Sequence, residues 1–374
     1  MRRCWIRADA SKLIGTGHIY RCLSIASYLK KQAIDVRFVC RAIEGHLCAL
    51  IESKGFRVVR LPADLINQRI DYTDLADDTL LKDIQSNLPH AHWLEASQIK
   101  DALASIQAIK PEKPTQDDYL IIDHFALDSL WETQVRKKFQ FKMVAIDGQA
   151  DRTHAVDALI DPSVSISETK WSGLLSVETK LFTGLSFVPI QERYYAMSES
   201  VSRGNDLHTV LVAFGGVDAE EYSLLTLQSL IKLPIQLKVL MVVGRNYPNL
   251  EALSKLCDQY EQVELFVQTD LMPELMSQAN LAIGAGGTMA WERCVMTLPS
   301  LVAEIADNQK QQVLSLEKLG LAINLGRSKT DYVANLDAAL NLIINQPSLL
   351  HEMTNNLQTL TSKIEPNAWK KVFL

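Results

Sequence analysis

The run Tyr119-Leu120-Ile121-Ile122-Asp123 constrains this chain most. It is apolar without alternation and closes on a carboxylate, followed by His124-Phe125. A strand apolar on both faces must be covered on both faces, which a parallel sheet between helix layers achieves. The same grammar recurs. Cys4–Asp9, Asp35–Cys40, Phe56–Leu61 and Lys142–Asp147 read as strands, and helical spacing covers 19–29, 46–52, 93–106 and 128–138. A second series runs through Thr209–Phe214, Leu237–Gly244, Val263–Val267, Leu281–Ile283 and Ser300–Ala303. Between the two series, the Ser- and Gly-containing stretch Met197–Asn205 reads as a linker, and the acidic stretch 63–88 as a surface insertion. The expected fold class is therefore α/β, with two Rossmann-like domains and a cleft between them. The domains are 1–198 and 206–350, with a C-terminal helix over 351–374 crossing back to the first, anchored by Trp369.

A length of 374 residues with 47% hydrophobic and 22% charged content suits two ordinary globular cores. The net charge of −6 argues against a nucleic-acid partner or a polybasic membrane surface, while leaving room for a local cationic pocket. No apolar run approaches the roughly 18 residues of a membrane span, and Arg7 and Asp9 interrupt the start, so a cytoplasmic protein without membrane insertion is expected. The six cysteines form no Cys-x-x-Cys pair and read as reduced, buried thiols. No ligand cluster of the His-Glu-x-x-His kind occurs, so neither a metal nor a cofactor is expected.

Chemistry concentrates where strands end. Gly15-Thr16-Gly17-His18 joins the first strand to the first helix, which puts His18 at a helix N-terminus where a neutral imidazole is favoured. A histidine that merely packs on the turn is the plainer alternative. Arg21, three residues on, shares its face and is a candidate anion ligand, with a solvated surface arginine as the alternative. Asp9, Asp123, His124 and Phe125 end strands and are candidates for lining the same cleft; Asp123 and Asp147 suit helix N-caps equally well. In the second half, Gly284-Ala285-Gly286-Gly287-Thr288 opens a helix, and free amides at such a turn suit a diphosphate. Glu292, one turn inside, is placed to accept from a ribose diol. Gly215-Gly216-Val217-Asp218 repeats the pattern, either as further amides for the phosphates or as a plain turn capped by Asp218. Asn308 and Gln309 offer the paired donors and acceptors that sugar hydroxyls and acetamido groups need.

Taken in order, Arg7-Ala8-Asp9-Ala10-Ser11, Gly15–Leu23, Ile121–Phe125, Ala213–Asp218, Ala282–Cys294 and Ala306–Gln309 resemble the UDP-sugar hydrolases of pseudaminic acid biosynthesis, over roughly residues 1–325. That resemblance implies a two-domain glycosyltransferase-B-like fold acting on a UDP-linked diacetamido-trideoxy-altrose; a monomer is expected. It implies attack by water at the anomeric carbon with inversion, without a metal. By position it makes His18 the catalytic base; from their strand-end placement, Asp9 and Asp123 are expected to orient it or the sugar. Gly17, Arg21, His124 and Phe125 are substrate-binding candidates from their own place at the strand ends and helix start. The resemblance puts Gly286, Gly287 and Thr288 on the diphosphate, Glu292 on the ribose, Val267 near uracil, and Asn308 and Gln309 near the sugar, with Gly215 and Gly216 as the further amides read above. Four positions depart from the family pattern: Phe125 replaces a tyrosine, Gly148 a carboxylate, Ser163 lies in place of Gln-Asn, and Gln191 replaces an arginine. The alternatives are a UDP-sugar-dependent glycosyltransferase and a catalytically weak UDP-sugar-binding protein.

Overall fold

The computed structural model describes residues 2–63, 87–164, 169–204, 206–365 and 368–373. Most of the expected insertion at 63–88 therefore lies outside the described residues. The chain forms two compact units, Met1–Pro189 with Asn367–Leu374, and Ile190–Pro366.

The first unit carries seven strands: β1 (Arg3–Ala8), β2 (Asp35–Arg41), β3 (Arg57–Leu61), β4 (Tyr119–Asp123), β5 (Lys142–Ile146), β6 (Ala158–Asp161) and β7 (Lys180–Thr183). They form one parallel sheet in the order β3-β2-β1-β4-β5-β6-β7. Strand order reverses between β1 and β4, where the register places Ala8 beside Asp123. Ligands of open α/β sheets bind outside the carboxyl ends of the strands at such a switch point. Alternate residues feed opposite cores. Cys4, Ile6, Ala8 and Ile121 pack with Ile19, Cys22 and Ile25 of the helix Gly17–Lys31. Trp5, Leu120 and Ile122 pack with Ala102 and Ile106 of the helix Gln98–Ile109. Both faces are covered, which is why these strands read as unbroken apolar runs.

Arg7 falls on the Trp5 face and is fully buried there. Its guanidinium donates to both oxygens of Asp9 (2.6 and 2.8 Å) and both of Asp101 (3.1 and 2.7 Å). Arg41 pairs with Asp101, its amide donates to Asp9 at 2.7 Å, and Trp131 Nε1 donates to Asp101 at 2.9 Å. Two buried cations thus meet two buried anions, as burial of charge requires.

The second unit is a six-stranded parallel sheet of β8 (Thr209–Ala213), β9 (Lys238–Val243), β10 (Val263–Val267), β11 (Leu281–Ala285), β12 (Ser300–Ala303) and β13 (Ala322–Asn324). Its order is β10-β9-β8-β11-β12-β13, so the switch point lies between β8 and β11.

The ends of the units differ from expectation. The contact division falls at Pro189, so Met197–Gly204 belongs to the second unit. Arg203 holds it there, donating to the carbonyls of Met276 (3.0 Å), Met296 (2.7 Å), Thr297 (2.9 Å) and Ala279. These carbonyls close the helices Met272–Gln278 and Thr288–Val295, where a cation complements the helix dipole. At the C-terminus, residues 351–361 continue the helix Pro347–Thr361 inside the second unit. The final turn, with Ala368 and Phe373 buried, joins the first. Trp369 stacks with Phe373 there, and the Tyr119 hydroxyl donates to the Phe373 carbonyl at 2.5 Å.

Candidate functional site

At the switch point of the first unit, Gly15 takes φ +78° and Thr16 precedes the helix Gly17–Lys31 without a side-chain cap. His18 is then in the first turn. Its Nδ1 lies 2.7 Å from Asp123 Oδ1, at the end of β4. Arg21, one turn further on, grips the same carboxylate, with Nε on Oδ2 at 2.6 Å and Nη2 on Oδ1; Cys22 Sγ donates to Oδ2 at 3.2 Å. Burial opposes charge on Asp123, but Arg21 and His18 outweigh it and hold the carboxyl well below the usual range. Asp123 is therefore the acceptor and His18 Nδ1 the donor, which leaves the lone pair on Nε2. Nε2 makes no hydrogen bond to the described residues, as a general base requires. Burial, together with the charge of Arg21, lowers the His18 pKa despite Asp123. The Phe125 ring packs edge-on to His18 at 4.7 Å.

Three of the expected site residues in this unit are otherwise engaged. Arg21 is neither solvated nor open to an anion: it is 6% exposed and paired with Asp123. His124 accepts from the Ala126 amide (3.1 Å) through Nδ1, and its Nε2 lies 3.3 Å from Asp9 Oδ2. Asp9 belongs to the Arg7 network and faces His124 rather than His18. Gly17, by contrast, is the first residue of the helix and stands beside His18.

Beside Phe125 lies a second charged cluster that the sequence did not reveal. His154 is held between Glu132 (Nδ1, 2.7 Å) and Asp147 (Nε2, 3.1 Å). Arg152 also pairs with Asp147, and its guanidinium lies 5.3 Å from the Phe125 centroid. Burial disfavours the imidazolium, but the two carboxylates raise the His154 pKa to about 9. Asp147 is thus bound into this cluster. Next to it, Lys170 donates to the Gly148 carbonyl, Asp161 Oδ2 and Ser163 Oγ, each at 2.8 Å, which ties together two of the family departures.

In the second unit, both glycine turns lie at the switch point, after β8 and after β11. Gly215 has φ +110° with open space where a side chain would be. Gly216 crosses the end of β9 so closely that a Cβ on Gly244 would overlap the Gly216 backbone, which only glycine permits. Asp218 caps the following helix, accepting from the amides of Tyr222 and Ser223 at 2.9 Å each. After β11, Gly287 precedes the helix Thr288–Val295, again without a side-chain cap. The Ala290 amide already bonds the Gly287 carbonyl at 2.9 Å, so the amides available to an anion are those of Thr288 and Met289.

The Gly286 amide is not among them: it bonds the Ala303 carbonyl at 3.1 Å and Gln309 Oε1 at 3.2 Å. Gln309 Oε1 also accepts from the Ile305 amide at 3.2 Å, so Gln309 braces the glycine turn rather than presenting its oxygen to a sugar. Asn308 shares the short turn Asp307–Gln309, and Val267 is 40% exposed at the end of β10. Glu292 stands in the second turn of its helix and takes a hydrogen bond from Tyr194, a buried residue of the helix Glu192–Ser198 that nothing in the sequence marks. Burial raises the Glu292 pKa to about 7, with Tyr194, Arg293 and Arg193 pulling the other way.

Residues 209–366 match the glycosyltransferase family 28 C-terminal domain. That match spans the whole second sheet, including both glycine turns and Glu292. The chain is also 23% identical over 317 residues to the UDP-2,4-diacetamido-2,4,6-trideoxy-beta-L-altropyranose hydrolase of Campylobacter jejuni, covering 85% of this chain and 97% of that protein. Among solved structures, MurG of Acinetobacter baumannii aligns with a TM-score of 0.63 at 14% identity, over 100% of this chain and 98% of that one. The spinosyn rhamnosyltransferase SpnG complexed with thymidine diphosphate aligns with a TM-score of 0.64 at 13% identity, over 96% and 97%. The fold is glycosyltransferase-B-like. Among the described residues, no group of three or more His, Cys, Asp or Glu could hold a metal ion, and no helix is long and apolar enough to cross a membrane.

Proposed function

We propose that this protein hydrolyses a UDP-linked diacetamido-trideoxy sugar of the altrose type to UDP and the free sugar. The observation that carries the reading is the His18–Asp123 pair at a sheet switch point, with Nε2 unbonded by the described residues. The family 28 match and the hydrolase relative support the nucleotide-sugar class. UDP is held by the second unit, with the Gly287–Thr288 helix start and the Gly215–Gly216 turn on the diphosphate, Val267 near uracil and Glu292 on the ribose. In the reaction, water loses a proton to His18 Nε2 as its oxygen bonds to C1 of the sugar. The C1–O bond to the β-phosphate breaks on the opposite face, with inversion, and UDP leaves with the bonding pair. Asp123 fixes the tautomer and stabilises the imidazolium that forms. Helix-start amides aimed at the β-phosphate stabilise the charge that develops there. UDP is a competent leaving group, so neither a metal nor a strong general acid is needed.

A transferase reading draws on the solved neighbours, which include a rhamnosyltransferase. It requires an acceptor hydroxyl in place of water. Steady UDP release in acceptor-free buffer supports hydrolysis, whereas release that begins only when an acceptor is added supports transfer.

Glu292 gives the nucleotide site a pH signature. Only the carboxylate accepts from both ribose hydroxyls, and its pKa is about 7. UDP affinity is therefore expected to rise about tenfold between pH 6 and pH 8, because the ionised fraction rises by that factor. Titration calorimetry with UDP and 2′,3′-dideoxy-UDP checks this: the analogue without the diol should lose the dependence beyond that of its own phosphates.

A further inference from the structure

We propose that Arg21 is a positioning residue for His18 and not a ligand for substrate anions: it fixes Asp123 against the His18 Nδ1–H and by its own charge keeps the ring neutral. The proposal rests on the reading of His18 as a base, although the contacts behind it do not.

The argument is a count of buried charge. Arg21 takes both oxygens of Asp123, and its Nη2 stands 3.1 Å from His18 Nδ1. Asp123 and Arg21 cancel, so the trio is neutral only while His18 is neutral. A proton on His18 would leave one uncompensated positive charge in a pocket where His18 is 5% exposed and Asp123 fully buried. The surroundings do not change the count. From the same helix comes Cys22, a neutral thiol on Asp123 Oδ2. From the β4 end comes His124, which belongs with Asp9 and the balanced Arg7 network. From the β5 end comes Asp147, already paired with Arg152 and His154. Among the described residues, the rings packed against His18 are Phe125 and Trp93.

His154 provides the contrast within the same unit. It faces two carboxylates, Glu132 and Asp147, with one guanidinium, Arg152, which also reaches the exposed Asp151. There the neutral arrangement needs the imidazolium. Two buried histidines are thus set to opposite protonation states by the balance of carboxylates and arginines beside them, one against one at His18 and two against one at His154. For His18 the decisive arginine is Arg21.

The test is an NMR titration of the full chain labelled with ¹⁵N-histidine, with His18 assigned through His18→Leu. In Arg21→Gln the repulsion is gone and Asp123 is unmasked, so the His18 midpoint should rise by about one pH unit or more. The His154 midpoint should stay where it is, which also reports an intact fold. Arg21→Lys, which keeps the charge, should leave His18 close to wild type. Because Arg21→Gln strands a buried carboxylate, the same comparison is made in an Asp123→Asn background, where the added Arg21→Gln should again raise the midpoint. A His18 midpoint that stays put in either comparison overturns the proposal. A separate calorimetric measurement of UDP affinity should show no change in Arg21→Gln; a loss of tenfold or more would mark Arg21 as an anion ligand and overturn the proposal as well. No substrate turns over in any of these measurements, so a failure here is distinct from a failure of the hydrolase reading.

Discussion

His18→Leu is expected to lower UDP release from the UDP-sugar by about 10²–10⁴-fold, the usual contribution of a positioned general base. Leucine approximates the ring in bulk and apolar character, so packing against Phe125 is largely kept. What is lost is the Nε2 lone pair and the Nδ1–H that satisfies Asp123. UDP affinity should be unchanged, because the proposed nucleotide site lies wholly in the second unit. A fall in kcat with constant UDP affinity marks loss of an interaction made in the transition state. Steady-state kinetics and calorimetry on one preparation give both numbers. Wild-type turnover in the variant would remove His18 from the chemistry.

Asp101→Ala is expected to cost about 3–5 kcal/mol of stability, the range for breaking a buried ion pair by removing one partner. Asp101 is fully buried and serves Arg7, Arg41 and the Trp131 indole at once. Without it, Arg7 keeps Asp9 as its carboxylate partner, while the Arg41 guanidinium keeps the Pro62 carbonyl and, among the described residues, no carboxylate. The network also predicts an acid limb. Burial opposes charge on Asp101, yet Arg7 and Arg41 hold its pKa down to about 2. A depressed carboxylate contributes stability above its unfolded pKa and loses it as pH falls toward the folded value, so this contribution should fade between about pH 4 and pH 2. Urea denaturation of the wild type and the variant at neutral and acid pH measures both effects. A loss under about 1 kcal/mol at neutral pH, the level of an exposed pair, would contradict the account.

Much of the fold was legible because it rests on short-range pattern. The long apolar strands, both glycine turns and the Asp123 strand end stand where periodicity and turn residues put them. Three short strands escaped notice, although the equally short β12 (Ser300–Ala303) was legible. The edge strands β7 and β13 have four and three residues, and β6, though buried, has only four. Periodicity needs longer runs to register. The site was legible in part, and its misreadings share one cause. Arg21, His124 and Gln309 are polar residues near a candidate ligand edge, which reads as ligand binding. Their partners are Asp123, Asp9 and the Gly286 amide, and all three lie more than twenty residues away with nothing local to reveal the pairing. Tyr194 and Arg203 were invisible for the same reason, because their value comes entirely from the helices they meet.

The measurement that tests the central claim most directly is turnover of the UDP-diacetamido-trideoxy-altrose in ¹⁸O-water, without acceptor and with EDTA present. The account predicts UDP release at a steady rate, with one ¹⁸O at C1 of the free sugar and none in UDP. Label in the β-phosphate, or no release until an acceptor is supplied, would contradict it.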